Sequence, residues 1–287
     1  MKRLTCTLLL AMILLTMPWA TVPAMARRTY FEVLLIGEDD APLDTVQAGE
    51  HPNGRADALM LLSLCLDDGA MKLVSIERHL VCDVPGAGKT KLCIANYLGG
   101  PTLQLQMVNQ TFEMAVPYYA LVNKAGMGRV VDVVGGVELD VQADETSIRL
   151  SDGQLAFADA GLQWASGAQA VAYMDSREKD DDTQRNRRQR AVLDAILHKL
   201  SGGMRLSEAL ALGTELLSLV KTNVGFAEVL QAGMALIQKG YERPEQLRTP
   251  EKWVSRGVNF HIVAVADDMN AEIRRLKEFL YGEEEAS

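Results

Sequence analysis

Three short apolar segments near the start of the chain most constrain its fold, because turn-forming or polar residues bound each of them. Tyr30 to Ile36 predicts a buried strand, and Ala58 to Leu66 predicts a second one. Met71 to Ile76 predicts a third strand, which the tight turn Asp67-Asp68-Gly69 joins to the second. We therefore expect a β-hairpin at the centre of a sheet.

Helical patterns follow these strands and alternate with shorter strands, while the Gly-rich stretch 80–100 is predicted to be irregular. No linker rich in Pro, Gly or Ser interrupts the pattern, and no internal repeat is evident. The sequence predicts one α/β domain over residues 29–281, a central mixed β-sheet flanked by helices, and an acidic tail at 282–287. Apolar spacing predicts helices at 101–113, 124–134, 167–175, 183–200, 206–220, 225–239 and 269–280, and further strands at 118–122, 137–141 and 260–265.

The N-terminus has the layout of a secretory signal. Lys2 and Arg3 precede an apolar run from Leu4 to Ala20, and Ala24-Met25-Ala26 forms a cleavage-type site. Residues 1–26 are therefore predicted to be a signal peptide or, alternatively, an N-terminal membrane anchor. Both readings place the remainder outside the cytoplasm, secreted or membrane-anchored at the cell envelope. Because no ATP is expected there, group transfer should use a pre-activated substrate.

Composition excludes several classes of protein. The chain has a formal net charge of −9, which argues against a general nucleic-acid binder. Its four cysteines are too few for a disulfide scaffold, and they show no zinc-binding spacing. Cys82 and Cys93 flank a Pro-Gly-x-Gly turn region. The sequence is compatible either with a disulfide between them or with two reduced thiols.

Acidic and basic residues lie at the ends of the predicted strands. Asp39 closes the first strand, Asp57 opens the second just after Arg55, and Arg78 follows the third. If neighbouring strands pair antiparallel, these side chains meet at one edge of the sheet. Two carboxylates beside arginines could hold Mg²⁺ on a diphosphate, although Asp residues at strand ends are also ordinary turn residues.

A basic cluster lies in the second half of the chain, with six cations between Arg177 and Arg190. Arg185 and Arg188 are three residues apart and share one helical face with Gln189 beside them. Arginine forks match phosphate oxygens, so this face suits a diphosphate. A solvated face paired with Asp180, Asp181 and Asp182 is the alternative.

These segments, in this order, resemble the LytR–CpsA–Psr family of extracytoplasmic cell-wall assembly proteins. The resemblance covers about residues 30–200 strongly and the tail weakly. The matching motifs are 33–39 (VLLIGED), 55–57 (RAD), 73–78 (LVSIER), 91–92 (KL), 97–101 (YLGGP), 131–137 (VDVVGGV), 167–173 (GAQAVAY) and 182–189 (DTQRNRRQ).

The resemblance implies a phosphotransferase that moves a glycopolymer from an undecaprenyl-diphosphate carrier to peptidoglycan and forms a phosphodiester. The partners it implies are a polyprenyl-diphosphate-linked glycan, peptidoglycan and the outer face of the membrane. The lipid tail would enter an apolar pocket between sheet and helices. By position, Asp39 and Asp57 would hold Mg²⁺, and Arg78 and Asp57 would be catalytic. The diphosphate would be bound by Arg55, Arg78, Arg177, Arg185, Arg188 and Gln189.

The chain departs from the family pattern at three places. The usual Pro-Arg-Asp is here Glu77-Arg78-His79, and the first arginine of the usual Tyr-x-Arg-x-Arg is Asp175. Cys93 replaces an asparagine. His79 and Asp175 motivate an alternative function, a non-catalytic paralogue that binds polyprenyl phosphates. A transcriptional regulator is disfavoured by the export signal, the acidic charge and the lack of a helix-turn-helix pattern.

Overall fold

The computed structural model describes residues 28–39, 53–176, 182–202, 206–258 and 261–282. The predicted signal at 1–26 and the predicted diphosphate ligand Arg177 lie outside the described residues, as does nearly all of the predicted acidic tail. The strands are β1 (Tyr30–Glu38), β2 (Ala56–Cys65), β3 (Met71–Ile76), β4 (Val81–Val84), β5 (Gly88–Lys91), β6 (Tyr118–Asn123), β7 (Val137–Val141), β8 (Gly161–Ala165), β9 (Lys221–Thr222), β10 (Glu245–Thr249), β11 (Trp253–Val258) and β12 (His261–Ala266). The α-helices are α1 (Ile94–Phe112), α2 (Lys124–Val133), α3 (Gly167–Asp175), α4 (Asp182–Ser201), α5 (Leu206–Leu219), α6 (Phe226–Lys239) and α7 (Met269–Tyr281).

A mixed six-stranded sheet forms the centre of the fold, in the order β10-β3-β2-β1-β6-β9. The predicted hairpin is present as β2 and β3, and β1 pairs antiparallel with β2 on its other side. Strand β6 runs parallel to β1, and β10 runs parallel to β3. Three two-stranded ribbons, β4–β5, β7–β8 and β11–β12, lie outside this sheet. The predicted α/β class with a central mixed sheet is therefore confirmed.

Helices cover both faces of the sheet, because successive side chains of a strand point to opposite faces. Leu34 and Ile36 of β1 join a buried core with α1 and α7, whereas Val33 joins a second core with α4 and α6. A third core lies beside the sheet, where α2, α3 and α4 pack on the β7–β8 ribbon. Among the described helices, none has the length and apolar character needed to cross a bilayer.

Helix α3 shows how local sequence sets an element boundary. Ser166 caps the helix as predicted, and its hydroxyl accepts the Gln169 backbone N–H. The Gln169 side chain in turn accepts the Ser166 N–H at 2.9 Å, which completes a capping box. This reciprocal pair fixes the start of α3 at Gly167.

The stretch predicted to be irregular, 80–100, instead contains the β4–β5 ribbon and the beginning of α1. The two strands meet at a turn in which Gly86 and Gly88 both have positive φ, so the glycines mark a hairpin. Helix α1 begins at Ile94, well before the predicted start at Pro101, and is kinked at Gly100, where φ is 68°. Strands β8, β9, β10 and β11 were also not predicted.

The cysteines of the described residues are free thiols, so Cys82 and Cys93 are not joined in this structure. Burial raises the pKa of the Cys93 thiol to about 11 and that of Cys82 to about 12. Both thiols are therefore protonated at neutral pH and are poor nucleophiles.

Candidate active site

Two predicted metal ligands lie at one edge of the sheet. The antiparallel register pairs Gly37 with Ala58 and Glu38 with Ala56, with a bulge between Gly37 and Glu38. Asp39 immediately follows β1, and Asp57 is the second residue of β2. The two carboxylates therefore meet at the same end of the sheet, as the sequence predicts.

Arg55 binds Asp39 through both its backbone and its side chain. One carboxylate oxygen accepts the Arg55 backbone N–H at 2.8 Å, and the other accepts Arg55 Nε at 3.0 Å and lies 2.8 Å from Nη2. Burial lowers the pKa of Arg55, but the hydrogen bond and charge of Asp39 outweigh it and raise that pKa. Arg55 thus stays a cation at the sheet edge.

Asp57 links three elements. The β2–β3 register, continued past its last paired residues, places Arg78 opposite Asp57, and the two side chains form an ion pair. Arg185, which is only 3% exposed on α4, brings Nη1 within 3.6 Å of the other Asp57 oxygen. Two guanidiniums therefore converge on one carboxylate.

A partly buried hydrogen-bond network holds the segment that leads into Arg55. Glu38 accepts hydrogen bonds from the Gly54 N–H at 2.7 Å and from Asn96 Nδ2 at 2.9 Å. Asn96 is fully buried at the start of α1 and also donates to the Gly54 carbonyl at 2.8 Å. A Cβ on Gly54 would lie 1.8 Å from the Asp39 carbonyl, so only glycine fits. Glu38 and Asn96 could not be predicted as site residues from the sequence, because their link to Gly54 joins distant parts of the chain.

An apolar cavity of 360 Å³ opens beside these charges. It lies between the sheet and helices α2 to α6, and the family resemblance implies an apolar pocket between sheet and helices. Asp57 lines both this cavity and a crevice formed with Arg78 and Arg185. Gln189 also lines the cavity, and its buried Oε1 accepts no hydrogen bond from the described residues. The apolar walls come from Leu35, Met60, Leu62, Val122, Met127, Val130, Val171, Leu193, Ile196, Leu197, Leu216, Leu217, Val220 and Val229, among others.

The arginine-rich edge thus adjoins the part of the apolar cavity that Asp57 lines, which we call its mouth. The LytR_cpsA_psr family model matches residues 18–277 of this chain. The chain belongs to this family. The resemblance stated from the motifs is thereby confirmed.

Curated relatives agree with the family match. The chain is 30% identical over 200 residues to the polyisoprenyl-teichoic acid–peptidoglycan teichoic acid transferase TagU of Oceanobacillus iheyensis, a match covering 67% of this chain and 57% of that protein. It is also 30% identical over 225 residues to TagU of Bacillus mycoides, covering 76% and 68% of the two chains. The match thus spans little more than half the length of the first relative.

Solved structures share the fold. The crystal structure of B. subtilis TagV superposes with a TM-score of 0.73 at 22% identity, covering 88% of this chain and 98% of that one. The LytR-CPS2A-psr protein YwtF (TagT) with bound octaprenyl pyrophosphate lipid superposes with a TM-score of 0.65 at 20% identity, covering 88% and 90%.

Arg188 lies apart from the other predicted diphosphate ligands of this LytR–CpsA–Psr domain. Its side chain is 1% exposed, with Nε donating to the Tyr173 carbonyl at 2.8 Å and Nη2 to the Ser176 carbonyl at 2.7 Å. Nη1 lies 3.5 Å from buried Glu145, which also accepts the Tyr173 hydroxyl at 2.9 Å. Arg188 thus links α4 to the end of α3 by hydrogen bonds. Its role as a phosphate ligand stays a prediction.

The residues that depart from the family pattern at 77, 79 and 175 form hydrogen bonds or ion pairs with other residues of this chain. Glu77 is buried and accepts the His79 backbone N–H at 3.1 Å and Arg248 Nη2 at 3.2 Å. His79 Nδ1 also lies 3.5 Å from the Glu77 carboxylate. Asp175 forms an ion pair with Lys124, Nζ to Oδ2 2.7 Å. Sequence analysis predicted neither Lys124 nor Arg248 as a site residue, since no local pattern connects them to their partners.

The donor set at the edge fits Mg²⁺. Mg²⁺ is commonly held by one or two carboxylates while waters and substrate phosphates complete its coordination. Asp39 and Asp57 supply two such carboxylates at one sheet end, each beside an arginine. Within the described ranges, no cluster of three or more His, Cys, Asp or Glu side chains forms a complete protein site. The metal assignment therefore depends on phosphate oxygens from a substrate and stays a prediction.

Proposed function

We propose that this protein is an extracytoplasmic, Mg²⁺-dependent phosphotransferase that moves a glycopolymer from a polyprenyl-diphosphate carrier to peptidoglycan. The observation that carries the proposal is the position of Asp57, which binds Arg78 and contacts Arg185 at the mouth of an apolar cavity. This juxtaposition fits an amphiphile with an anionic head and an apolar tail. Relatives named as polyisoprenyl-teichoic acid–peptidoglycan transferases support the same reading.

The polyprenyl tail would enter the cavity, where aliphatic side chains replace water around it. The diphosphate would then lie at the arginine-rich edge, where Arg55, Arg78 and Arg185 offer forked donors to phosphate oxygens. Gln189 on the cavity wall has a buried amide oxygen that accepts no hydrogen bond from the described residues. The energy for transfer would come from the diphosphate bond of the carrier.

The reaction itself requires little covalent chemistry from the protein. An acceptor hydroxyl attacks the phosphorus that bears the glycan, the bridging P–O bond breaks, and polyprenyl monophosphate leaves. The leaving phosphate gains one negative charge, while the hydroxyl proton is released. Arg78 and Arg185 lie beside Asp57 at this end of the sheet, and once they bind the phosphates they would stabilise that developing charge.

Asp39 and Asp57 would hold Mg²⁺ together with the substrate phosphates. The metal, when bound, supplies additional charge neutralisation on the phosphate oxygens. In the free protein both carboxylates are paired with arginines. When the diphosphate binds, these arginines would leave the carboxylates and bind phosphate oxygens instead.

The partners define where this reaction would occur. A polyprenyl carrier lies in a membrane, and peptidoglycan lies outside the cytoplasmic membrane, so we place the domain at the outer face of that membrane. The predicted N-terminal signal or anchor is consistent with this location. The protein would thus be secreted or anchored at the cell envelope.

A transfer assay tests the proposal. Purified protein is incubated with Mg²⁺, a polyprenyl-diphosphate-linked glycan and peptidoglycan oligomers, and release of polyprenyl phosphate is followed. We expect release that requires both Mg²⁺ and the acceptor. Tight lipid binding without release would favour the alternative, a non-catalytic polyprenyl-phosphate-binding paralogue. Folded protein that neither binds nor releases lipid would contradict both readings.

A further inference from the structure

Lys124 and Asp175 form an ion pair, and both residues line the apolar cavity. Lys124 is the first residue of α2, directly after Asn123, and Asp175 is the last residue of α3. Asn123 ends β6 and pairs in parallel register with Glu38 at the end of β1. Lys124 therefore lies at the same edge of the sheet as Asp39 and Asp57.

The pair separates the apolar cavity from a neighbouring cleft and forms a wall of both. Lys124 and Asp175 line the apolar cavity, which holds Asp57 and Gln189, and they line a neighbouring cleft of 530 Å³. That cleft contains Arg129 and Arg149 and lies between α2 and α3. A headgroup bound at the mouth of the cavity would lie beside this wall.

The charges of Lys124 and Asp175 would act on a phosphate bound beside them. An unpaired Asp175 carboxylate would repel a phosphate at the cavity mouth, and Lys124 neutralises it at 2.7 Å. The two side chains are 42% and 40% exposed, so their pairing is screened by water and weak. A lysine ammonium on a flexible stem can therefore exchange a carboxylate for a phosphate oxygen at small cost.

We propose that Lys124 is a headgroup ligand that binds the lipid-linked diphosphate from the α2 side of the mouth, with Asp175 as its partner in the free protein. This rests on the proposed function, since it names a further residue of the same site. Arg78 and Arg185 would contact the headgroup from β3 and α4, and Lys124 from β6 and α2. Asp175 would then act as a competitor that weakens diphosphate binding.

The test compares binding of geranylgeranyl diphosphate with binding of the uncharged alcohol geranylgeraniol by calorimetry. Lys124→Met should weaken diphosphate binding by about tenfold, as loss of a charge-assisted hydrogen bond predicts, and leave alcohol binding unchanged. Asp175→Asn should strengthen diphosphate binding, because it frees Lys124 and removes a negative charge. Lys252→Met, on the exposed connection before β11, is the matched control and should change neither.

The double variant Lys124→Met/Asp175→Asn separates binding from a purely structural role. It removes both charges, so we expect weaker diphosphate affinity than in Asp175→Asn alone, and equal affinity in the two variants would mean that Lys124 only neutralises Asp175 or joins α2 to α3. Unchanged affinity in Lys124→Met, or weaker affinity in Asp175→Asn, would equally overturn the proposal. Wild-type protein that binds the alcohol but not the diphosphate would instead refute the proposed function itself.

Discussion

Asp57 near the start of β2 and Arg78 just after β3 face each other, and their side chains form an ion pair at the end of the sheet. The side chain of Asp57 is 11% exposed and that of Arg78 is 19% exposed. Because Arg185 also approaches Asp57, the carboxylate orients two cations together. In the proposed reaction these placed charges would stabilise the transition state, and the ion pair predicts which single changes abolish transfer.

Arg78→Ala should lose transfer activity while the fold is retained. We expect a decrease in turnover of about 100-fold or more, as for removal of one donor that stabilises developing charge. Turnover would be measured with the lipid-linked donor, and circular dichroism would report the fold. Arg256→Ala, at an exposed position of β11, should keep full activity. Wild-type turnover in Arg78→Ala would remove Arg78 from the site.

Arg188→Met should destabilise the protein rather than only weaken substrate binding. The change leaves the Tyr173 and Ser176 carbonyls without their donor and removes one cation from buried Glu145. We expect the free energy of unfolding to fall by about 3 kcal/mol, measured by urea denaturation. Unchanged stability together with lost diphosphate binding would show that Arg188 serves the headgroup instead.

Gly167→Ala should separate α2 from α3. A Cβ at Gly167 would lie 2.1 Å from the Gly128 carbonyl oxygen and 2.7 Å from Asp132 Oδ2. We expect a loss of about 1–3 kcal/mol from this overpacking, seen as a lower melting temperature. Gly233→Ala in α6 is the matched control, because a Cβ there meets no atom within 4 Å. It should gain about 0.5–1 kcal/mol from lower backbone entropy, and equal effects of the two changes would contradict the close contact.

Glu32→Gln should alter the pH dependence of stability. Burial raises the pKa of Glu32 above its ordinary value of 4.5, against hydrogen bonds from Tyr281 and Ser63 that lower it. A raised folded pKa gives stability that is fully present below 4.5 and is lost as pH rises through the folded value.

The amide of Glu32→Gln cannot ionise, so the difference in unfolding free energy, variant minus wild type, should increase as pH rises above 4.5 and then level off. Denaturant titrations across this range measure the difference, which cancels the contributions of other carboxyls. A difference that is constant with pH, or that decreases, would mean that the Glu32 pKa is not raised by folding.

The centre of the sheet could be predicted from sequence, because β1, β2 and β3 are apolar runs joined by recognisable turns. The meeting of Asp39, Asp57 and Arg78 followed from antiparallel pairing alone. Strand β10 could not be predicted, since its residues, Glu245 to Thr249, are mainly polar and become a strand by pairing with β3. The glycines of the β4–β5 turn likewise gave no sign of the strands beside them.

The partners of individual charges were the least predictable part of the site. Arg185 and Arg188 share a helical face, yet one contacts Asp57 and the other contacts Glu145, 43 residues away in the chain. Lys124 and Asp175 are 51 residues apart, and only the packing of α2 on α3 brings them together. Residue type therefore indicated the chemistry of the site, whereas tertiary contacts decided which arginine joins Asp57 in the crevice beside the cavity.

The most direct test of the central claim is to follow the phosphorus during transfer. A donor carrying isotope in the phosphate attached to the glycan is incubated with the protein, Mg²⁺ and peptidoglycan oligomers. We predict that the label appears in a phosphodiester between glycan and peptidoglycan, and that the released polyprenyl monophosphate is unlabelled. Label recovered on the lipid phosphate, on free glycan phosphate, or only in intact donor bound to the protein would contradict it.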